Sequence, residues 1–327
     1  MPNNVRVSVA VPLHNEEAGV SELISRVGAV LDVIPGGPHE MFFVDDGSSD
    51  RTLALLEQSA DRDQRIRVIS LSRNFGHQAA LTAALDHVSG DVCVILDGDL
   101  QDPPETIPLL LEKYYEGYDV VYAQRRRRKE AIWLKICFFL FYRLMASLSE
   151  MSLPLDAGDF GLLSRRVLDH LRSIREHHRY LRGLRVWIGF RQIGIPVERA
   201  QRFAGESKYG MLKYLKLASD AIFSFSTIPI RAAALLGFLT TGFSAVFVLY
   251  ALIARVVFNQ SPKGFTALLV VTTFLVGVVL LFLGIIGEYV GRIYEEIKAR
   301  PIYIIASTRG GVSAGNRENR QPGTSSS

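Results

Sequence analysis

Residues 92–104 read VCVILDGDLQDPP, an apolar run that passes directly into acidic residues. The apolar part, 92–96, is short and rich in β-branched residues, which predicts a buried strand. Asp97 and Asp99 leave this strand at its carboxyl end. Two carboxylates so placed can share one divalent cation, since hard cations prefer oxygen ligands. An ordinary acidic turn is a weaker interpretation, because like charges at the end of a buried strand are costly without a cation.

Outward from this strand, residues 5–123 alternate between β-branched runs and amphipathic segments. The pattern predicts strands at 5–11, 41–44, 66–70, 92–96 and 120–123, and helices at 16–31, 52–60, 79–87 and 104–116. Such alternation predicts a doubly wound α/β fold with a mostly parallel sheet. Ligands of these folds bind beyond the carboxyl ends of the strands.

Two further polar clusters follow predicted strands. The first strand leads into PLHNEE at 12–17, which contains no glycine. This absence counts against a dinucleotide-binding dehydrogenase and a P-loop nucleotidase, since both need a glycine-rich turn there. The second strand leads into DDGSS at 45–49, whose carboxylates suit a ribose or base N–H. Taken alone, this segment is explained better by a turn that caps the next helix at 48–50.

Charge is distributed unevenly along the 327 residues, although the formal net charge is only +4. Residues 1–123 carry 8 basic and 20 acidic side chains, whereas 124–216 carry 20 basic and 8 acidic ones. The first region therefore favours a cation site, and the second favours an anionic partner such as nucleic acid or a phospholipid surface.

Two long uncharged segments indicate a membrane protein. Between Arg231 and Arg255 lie 23 uncharged residues, and between Lys263 and Glu288 lie 24. Both are long enough to cross a bilayer, and soluble core helices of this length rarely lack charge on every face. The flanking positive charges predict a multi-pass protein of the inner membrane with both termini cytoplasmic.

The predicted domains are a cytoplasmic α/β domain at 1–230, two transmembrane helices within 231–288, and a cytoplasmic segment at 289–327. From Ser307 onward the sequence lacks apolar periodicity and predicts a disordered tail. Five consecutive cations at 125–129 precede the apolar, aromatic segment 131–149. This segment and 211–226 predict interfacial helices, so the bilayer is favoured over nucleic acid as the anionic partner.

Seven motifs together carry a family resemblance: VPLHNEE, VDDGSSD, LSRNFGHQAAL, LDGDLQDPPE, AGDF, RFAGESKYG and GIIGEYVGRIYEE. In this order the sequence resembles the polyisoprenyl-phosphate glycosyltransferases of the GT-A fold and glycosyltransferase family 2. That group includes dolichol-phosphate mannose synthase and the bactoprenol glucosyltransferases of O-antigen (lipopolysaccharide) glucosylation. The resemblance implies inverting transfer of one sugar from a nucleotide sugar to a polyisoprenyl phosphate. It also implies a Mg²⁺ or Mn²⁺ cofactor.

The resemblance also implies roles for individual residues. The residues expected to bind the nucleotide sugar are Pro12, His14, Glu16, Asp46, Asp97, Arg202 and Lys208. Those expected to bind the metal are Asp97, Asp99 and Gln101. Those expected to bind the lipid phosphate are Arg143 and Ser147, together with the cations Arg125 and Lys129. Asp159 matches the carboxylate proposed as catalytic base. On residue type alone, Asp159 is also a candidate cap for a helix over 162–172.

UDP-glucose and undecaprenyl phosphate are the first choice of substrates. GDP-mannose, UDP-GlcNAc and an aminoarabinose nucleotide stay open as donors. A lipid transporter and a non-catalytic membrane scaffold are the alternatives from other classes, and the sequence leaves the oligomeric state open, including a homo-oligomer.

Overall fold

The computed structural model describes residues 4–125, 157–177, 179–198, 228–258 and 264–310. These residues divide into two compact units, each considered by itself. The sheet unit contains the described residues up to 198 together with 301–310, and the helical unit contains 228–258 and 264–300. The predicted interfacial helices at 131–149 and 211–226 lie outside the described residues.

The sheet unit alternates strands and helices along the chain. Its strands are β1 (Val7–Leu13), β2 (Glu40–Asp45), β3 (Ile66–Leu71), β4 (Val92–Ile95), β5 (Val120–Arg125), β6 (Ala157–Ser164), β7 (Gln192–Val197) and β8 (Ile305–Arg309). Its helices are α1 (Val20–Val33), α2 (Thr52–Ala60), α3 (His77–His87), α4 (Ile107–Tyr115), α5 (Arg165–Ser173) and α6 (Leu181–Ile188), with a 3₁₀ turn at Pro104–Thr106. The strands and helices predicted between residues 5 and 123 are confirmed, with ends shifted by a few residues.

The eight strands form one sheet in the order β7-β5-β6-β4-β1-β2-β3-β8. Strand β1 is parallel to both β2 and β4, β3 is parallel to β2, and β7 is parallel to β5. Strands β6 and β8 run antiparallel to their neighbours. The prediction of a mostly parallel α/β sheet is therefore confirmed.

The core explains why these segments became strands and helices. All seven residues of β1 are buried, as expected for a central strand covered by helices on both faces. In α1, the buried residues Leu23, Val27 and Leu31 recur every four positions and belong to the same core cluster as β1. Burial of each such side chain stabilises the fold by roughly 1.5–3 kcal/mol. This packing fixes the positions of the strand ends, from which the loops leave the sheet.

Strand β6 was not predicted, and its presence makes the helix-cap interpretation of Asp159 wrong. Asp159 lies inside the strand, and the following helix begins only at Arg165. Gly161 permits the pairing with β5, because a Cβ there would lie 2.5 Å from the backbone oxygen of Val121. Since β6 is antiparallel to β4, its first residues lie beside the carboxyl end of β4.

The C-terminal segment returns to the sheet. Strand β8 pairs with β3, and the amide of Ser72 donates to the backbone oxygen of Ile304 over 2.9 Å. The Tyr303 hydroxyl donates to Asp86 over 3.0 Å. The prediction of a disordered tail was therefore wrong for residues 307–309. The outer edge of β3 offers unpaired backbone groups, and the β8 backbone satisfies them.

The helical unit consists of α7 (Ile228–Phe258) and α8 (Phe265–Ile297). Their apolar side chains are largely exposed, including Phe238 at 79% and Val256 at 80%. Among the described residues, Phe274–Ile297 is the one segment long and apolar enough to cross a membrane, by length and composition. It overlaps the second predicted span. The first predicted span forms part of α7 and stays a prediction.

Candidate active site

Several predicted site residues meet at one edge of the sheet. Strands β1, β2 and β4 are adjacent and parallel, so the loops that follow them leave the sheet on the same side. We call this side the carboxyl edge and the opposite side the amino edge. Antiparallel β6 begins at the carboxyl edge and adds Asp159 there.

The loop after β1 carries the first predicted donor-binding residues. Pro12 is buried within β1, and His14 is exposed just beyond it. His14 Nδ1 lies 2.9 Å from the backbone oxygen of Asp46, so this loop is bonded to the loop after β2. The Glu16 amide donates to the Thr52 hydroxyl over 2.9 Å, which adds a second connection. The structure therefore places Pro12, His14 and Glu16 together at the carboxyl edge.

Asp46 has an intramolecular role that the sequence did not predict. Its buried carboxylate accepts hydrogen bonds from the amides of Phe75 and Gly76, over 2.7 and 3.0 Å. Next to it, Gly47 has a φ of 62°, and a Cβ there would lie 2.5 Å from the backbone carbon of Arg73. Asp46 and Gly47 thus hold the loop after β3 against the loop after β2. The nucleoside role of Asp46 stays a prediction.

The turn after β4 is held in a constrained backbone conformation. A Cβ on Gly98 would lie 2.1 Å from Leu13 Cδ2, so only glycine lets the turn pack this closely on β1. Leu100 adopts a φ of 56°, which is uncommon for a residue with a Cβ, yet its side chain is only 2% exposed. Burial of this side chain offsets backbone strain of about 1–3 kcal/mol. The Gln101 amide donates to Asp99 Oδ1 over 3.1 Å and closes the turn.

Asp97 and Asp159 approach the same histidine. His77 Nε2 lies 3.7 Å from Asp97 Oδ1 and 3.8 Å from Asp159 Oδ2. His77 is the first residue of α3, placed there by Gly76, whose φ is 98°. Asp97 lies in the turn after β4, and Asp159 lies in β6, the strand next to β4. One imidazole therefore connects the acidic turn to β6.

Asp159 also forms a bidentate ion pair with Arg182. Arg182 Nε donates to Oδ1 over 2.7 Å, and Nη2 donates to Oδ2 over 2.8 Å. Burial opposes ionisation of Asp159, but Arg182 and then His77 outweigh it and hold the pKa of this carboxyl well below its usual range. Asp159 is therefore an ionised carboxylate with little tendency to accept a proton.

The electrostatics of Asp97 are opposite. Burial raises the pKa of Asp97, against the opposing effect of His77. The neighbouring carboxylates of Asp159, Asp102 and Asp99 raise it further. Negative charge has thus accumulated around Asp97, and an added cation would stabilise its ionised form.

This donor set fits a hard divalent cation. Within the described ranges, no three His, Cys, Asp or Glu side chains are arranged to hold a metal by themselves. Mg²⁺ does not need such a cage, because proteins usually bind it through one or two carboxylates together with substrate phosphates and water. Asp97 and Asp99 supply carboxylates of this kind at the end of β4.

The remaining predicted residues cannot be compared in the same way. Arg125 is the last residue of β5, whose carboxyl end lies at the same edge. The others lie outside the described residues, namely Lys129, Arg143, Ser147, Arg202 and Lys208. Their roles stay predictions.

Sequence reasoning missed His77 and Arg182. His77 stands in the NFGHQ stretch after β3, so its position at the start of a helix on the carboxyl edge was a usable signal. Arg182 offered no comparable signal, because it is one of many arginines in the basic middle of the chain. Only the pairing of β6 and the docking of α6 bring it to Asp159.

The chain is similar in sequence to known proteins. The sequence model of glycosyl transferase family 2 matches residues 8–172. The uncharacterized glycosyltransferase YkcC of Bacillus subtilis (strain 168) is 40% identical over 95% of this chain and 96% of its own length. The uncharacterized glycosyltransferase sll0501 of Synechocystis is 37% identical over 94% of this chain and 96% of its own length. The SfII prophage-derived bactoprenol glucosyl transferase of Shigella flexneri is 36% identical, over 94% of this chain and 99% of its own.

Proposed function

Because this chain belongs to glycosyl transferase family 2 and is a glycosyltransferase, we propose that it transfers one sugar, with inversion, from a nucleotide sugar to a polyisoprenyl phosphate. UDP-glucose and undecaprenyl phosphate are the first choice of substrates. The name of the Shigella relative supports this choice, since bactoprenol is a polyisoprenol and the transferred sugar is glucose. The product would be a lipid-linked sugar for glycosylation of the cell envelope.

One observation carries the proposal: Asp97, in the turn after β4, and Asp159, in the neighbouring strand β6, approach the same His77 ring. Their meeting point lies at the carboxyl edge, where α/β folds bind their ligands. A membrane scaffold has no use for Asp99 and Asp102 gathered around Asp97, because these like charges oppose ionisation of Asp97 unless a cation compensates them.

On the donor side, the acidic turn after β4 would hold the cofactor. A bound Mg²⁺ or Mn²⁺ would neutralise the charge that grows on the nucleotide diphosphate as it leaves. Asp97, Asp99 and Gln101 would hold this cation. The loops after β1 and β2 would bind the nucleoside through Pro12, His14, Glu16 and Asp46. Arg202 and Lys208, outside the described residues, are proposed to contact the diphosphate.

On the acceptor side, the nucleophile is a phosphate oxygen. The second pKa of a phosphate monoester is about 6, so the acceptor is largely a dianion at neutral pH. It therefore needs orientation and charge compensation more than it needs a strong base. The ion pair between Asp159 and Arg182 agrees with this requirement, because a carboxylate held in this way is a weak base.

We also propose that residues 1–230 and both termini are cytoplasmic, with two spans within 231–288. Residues on both sides of the helical unit belong to the same sheet, since β8 pairs with β3. Any spans between them must therefore be even in number. The helix Phe274–Ile297 supports one span. Arg143 and Ser147 would then bind the lipid phosphate, and the cations from Arg125 to Lys129 would attract anionic headgroups.

The direct test uses the purified full chain in detergent. A panel of labelled nucleotide sugars is incubated with undecaprenyl phosphate and Mg²⁺ or Mn²⁺, and lipid-linked label is measured. We expect transfer from UDP-glucose, loss of transfer in excess EDTA, and loss in Asp99→Ala. As a matched control, Asp61→Ala removes an exposed carboxylate beyond the end of α2 and should leave activity intact.

Two results would contradict the proposal. Absence of transfer from every nucleotide sugar would reject the acceptor class, and full turnover in EDTA would reject the cation. Transfer from GDP-mannose or UDP-GlcNAc in place of UDP-glucose would correct the donor alone.

A further inference from the structure

We propose that Arg182 binds the phosphate of the acceptor and that Asp159 is the residue that positions Arg182. This inference rests on the proposed function and goes beyond it, because it assigns a substrate contact to a residue outside the predicted site. It also replaces the role of Asp159 as a base with a positioning role.

The ion pair leaves one side of the guanidinium for a substrate. A guanidinium carries five N–H donors in a planar fork. Asp159 accepts from Nε and from Nη2, which is the side-on arrangement. The end-on side, formed by Nη1 and the second N–H of Nη2, points away from this carboxylate. That side matches two phosphate oxygens bidentately.

Exposure distinguishes Arg182 from the second arginine of the same helix. The Arg182 side chain is 31% exposed, so solutes can reach it. Arg185 is only 5% exposed and lies over the Tyr122 ring, 4.6 Å from its centroid. Arg185 is thus too buried to contact a substrate, but its positive charge lies in the same helix as Arg182. This buried charge further favours binding of an anion near Arg182.

Charge balance explains why an acceptor needs this contact. A dianionic phosphate that approaches the carboxyl edge meets the carboxylates of Asp97, Asp99, Asp102 and Asp159. The cation that Asp97 and Asp99 would hold is proposed to compensate the donor diphosphate. Arg182 is paired with Asp159 of β6, whereas Asp97 follows β4, the neighbouring strand. Arg182 is therefore positioned to compensate the second anion.

The position of Arg182 is also fixed from the backbone. The amide of Leu181, at the start of α6, donates to Gln78 Oε1 over 3.1 Å. Gln78 follows His77 in α3, so the helix that carries Arg182 is bonded to the helix that carries the shared histidine. Both the guanidinium and its helix are thus oriented before substrate arrives.

The chain contains a matched control at the amino edge. Arg166 forms a bidentate pair with Asp119, and Asp119 also accepts from the Ser164 hydroxyl over 3.1 Å. Ser164 ends β6, the strand that carries Asp159 near its start. Arg166→Gln therefore breaks the same kind of pair at the other end of the same strand.

The experiment measures KM for a short-chain polyisoprenyl phosphate in detergent at saturating nucleotide sugar, and KM for the donor separately. We expect Arg182→Gln to raise the acceptor KM on the order of 10- to 100-fold, as for loss of a charge-assisted hydrogen bond. The donor KM should not change. Arg182→Lys should give an intermediate acceptor KM, since a point charge replaces the fork. Arg166→Gln should leave both KM values unchanged.

Asp159→Asn separates positioning from base catalysis. If Asp159 positions Arg182, this variant raises the acceptor KM, and the double variant with Arg182→Gln is no worse than either single variant. If Asp159 is a base, the variant lowers kcat, removes the acidic limb of the pH–rate profile and leaves the acceptor KM normal, which overturns the proposal.

Three further results would overturn the phosphate contact, its assignment to the acceptor, or the proposed function. A normal acceptor KM in folded Arg182→Gln, or in Arg182→Lys if the glutamine variant does not fold, overturns the phosphate contact. A raised donor KM with a normal acceptor KM assigns the contact to the donor and overturns our choice of the acceptor. Failure of the wild-type chain to glycosylate any polyisoprenyl phosphate would instead reject the proposed function, before any variant is compared.

Discussion

Glu40 at the amino edge and Asp97 at the carboxyl edge are carboxylates in opposite electrostatic situations. At the amino edge, Glu40 is 2% exposed and accepts hydrogen bonds from the Ser8 hydroxyl and the Ser89 amide, both over 2.6 Å. Arg67 lies 3.0 Å from its second oxygen. Burial opposes ionisation of Glu40, but these hydrogen bonds and the nearby Arg6 charge lower its pKa.

At the carboxyl edge, Asp97 has carboxylates among its neighbours. Burial and the charges of Asp159, Asp102 and Asp99 raise the pKa of Asp97. A carboxylate whose ionised form the fold stabilises contributes to stability, whereas one whose ionised form the fold destabilises requires a ligand. This difference shows that burial of a carboxylate does not by itself identify a ligand-binding site. The sign of the electrostatic environment distinguishes Asp97 from Glu40, whereas Asp159, at the same edge as Asp97, is compensated by Arg182 and His77.

The largest expected effect comes from Asp97→Asn, which changes one atom at the carboxyl edge. We expect activity to fall on the order of 10³-fold, because a charged ligand of the cation is lost. In metal-free buffer the melting temperature should stay the same or rise, because repulsion among the carboxylates decreases. Initial rates and thermal unfolding in detergent measure the two quantities. A lower melting temperature with retained activity would show that Asp97 is structural and would remove the contrast between the edges.

Glu40→Gln makes the equivalent change at the amino edge and should act on stability. We expect the free energy of unfolding to fall by about 2–3 kcal/mol, the value of hydrogen bonds to a charged group. The KM and kcat values should not change, because Glu40 lies at the other end of the strands. Urea unfolding and steady-state kinetics test both statements. A kinetic defect in a fully folded variant would contradict the separation.

The lowered pKa of Glu40 also predicts how the free energy of unfolding depends on pH. Since the pKa of Glu40 is lowered in the folded state, its contribution to stability is complete above the unfolded-state value, about 4.3, and is lost as pH falls toward the folded value. Wild-type stability should therefore decrease below about pH 4.3, and Glu40→Gln should flatten this acid limb. An unchanged acid limb in the variant would assign the effect to other carboxylates.

The smallest expected effect is that of Tyr303→Phe, in the segment that leads into β8. This variant removes the hydrogen bond to Asp86, which Arg175 also contacts over 2.8 Å. We expect a loss of about 0.5–1.5 kcal/mol of unfolding free energy with unchanged kinetics. Thermal unfolding against wild type is sufficient to detect it. A larger loss would mean that β8 depends on this contact far more than on its backbone pairing.

The parts of the fold that sequence predicted are those with a local signal. The β-branched runs and amphipathic segments of residues 5–123 have periods that indicate their structure. Strand β6 escaped prediction because its residues AGDFGLLS contain two glycines and an aspartate, and their strand conformation depends on pairing with β4 and β5. Strand β8 escaped prediction for the same reason, since its polar residues lie on an exposed edge.

The candidate site also contains residues with a local sequence signal and residues that only tertiary pairing brings together. Asp97 and Asp99 were predictable because they follow a buried strand directly. The contacts among His77, Asp159 and Arg182 were not, because these residues are far apart in sequence and only tertiary pairing joins them. Asp46 shows the converse difficulty, since its position was predicted correctly but its bonds to the 75–76 backbone were not.

Strand β8 also sets an order of events during synthesis. The chain completes β3 at Leu71, but its outer neighbour begins only at Ile305, after both long helices. At about 5–20 residues per second, roughly 10–50 s pass before the ribosome delivers that partner. Throughout this interval the edge of β3 is an open template for strand addition. A nascent chain that stalls after α8 would carry a complete set of central strands and an unprotected edge, so release of the last residues completes the sheet.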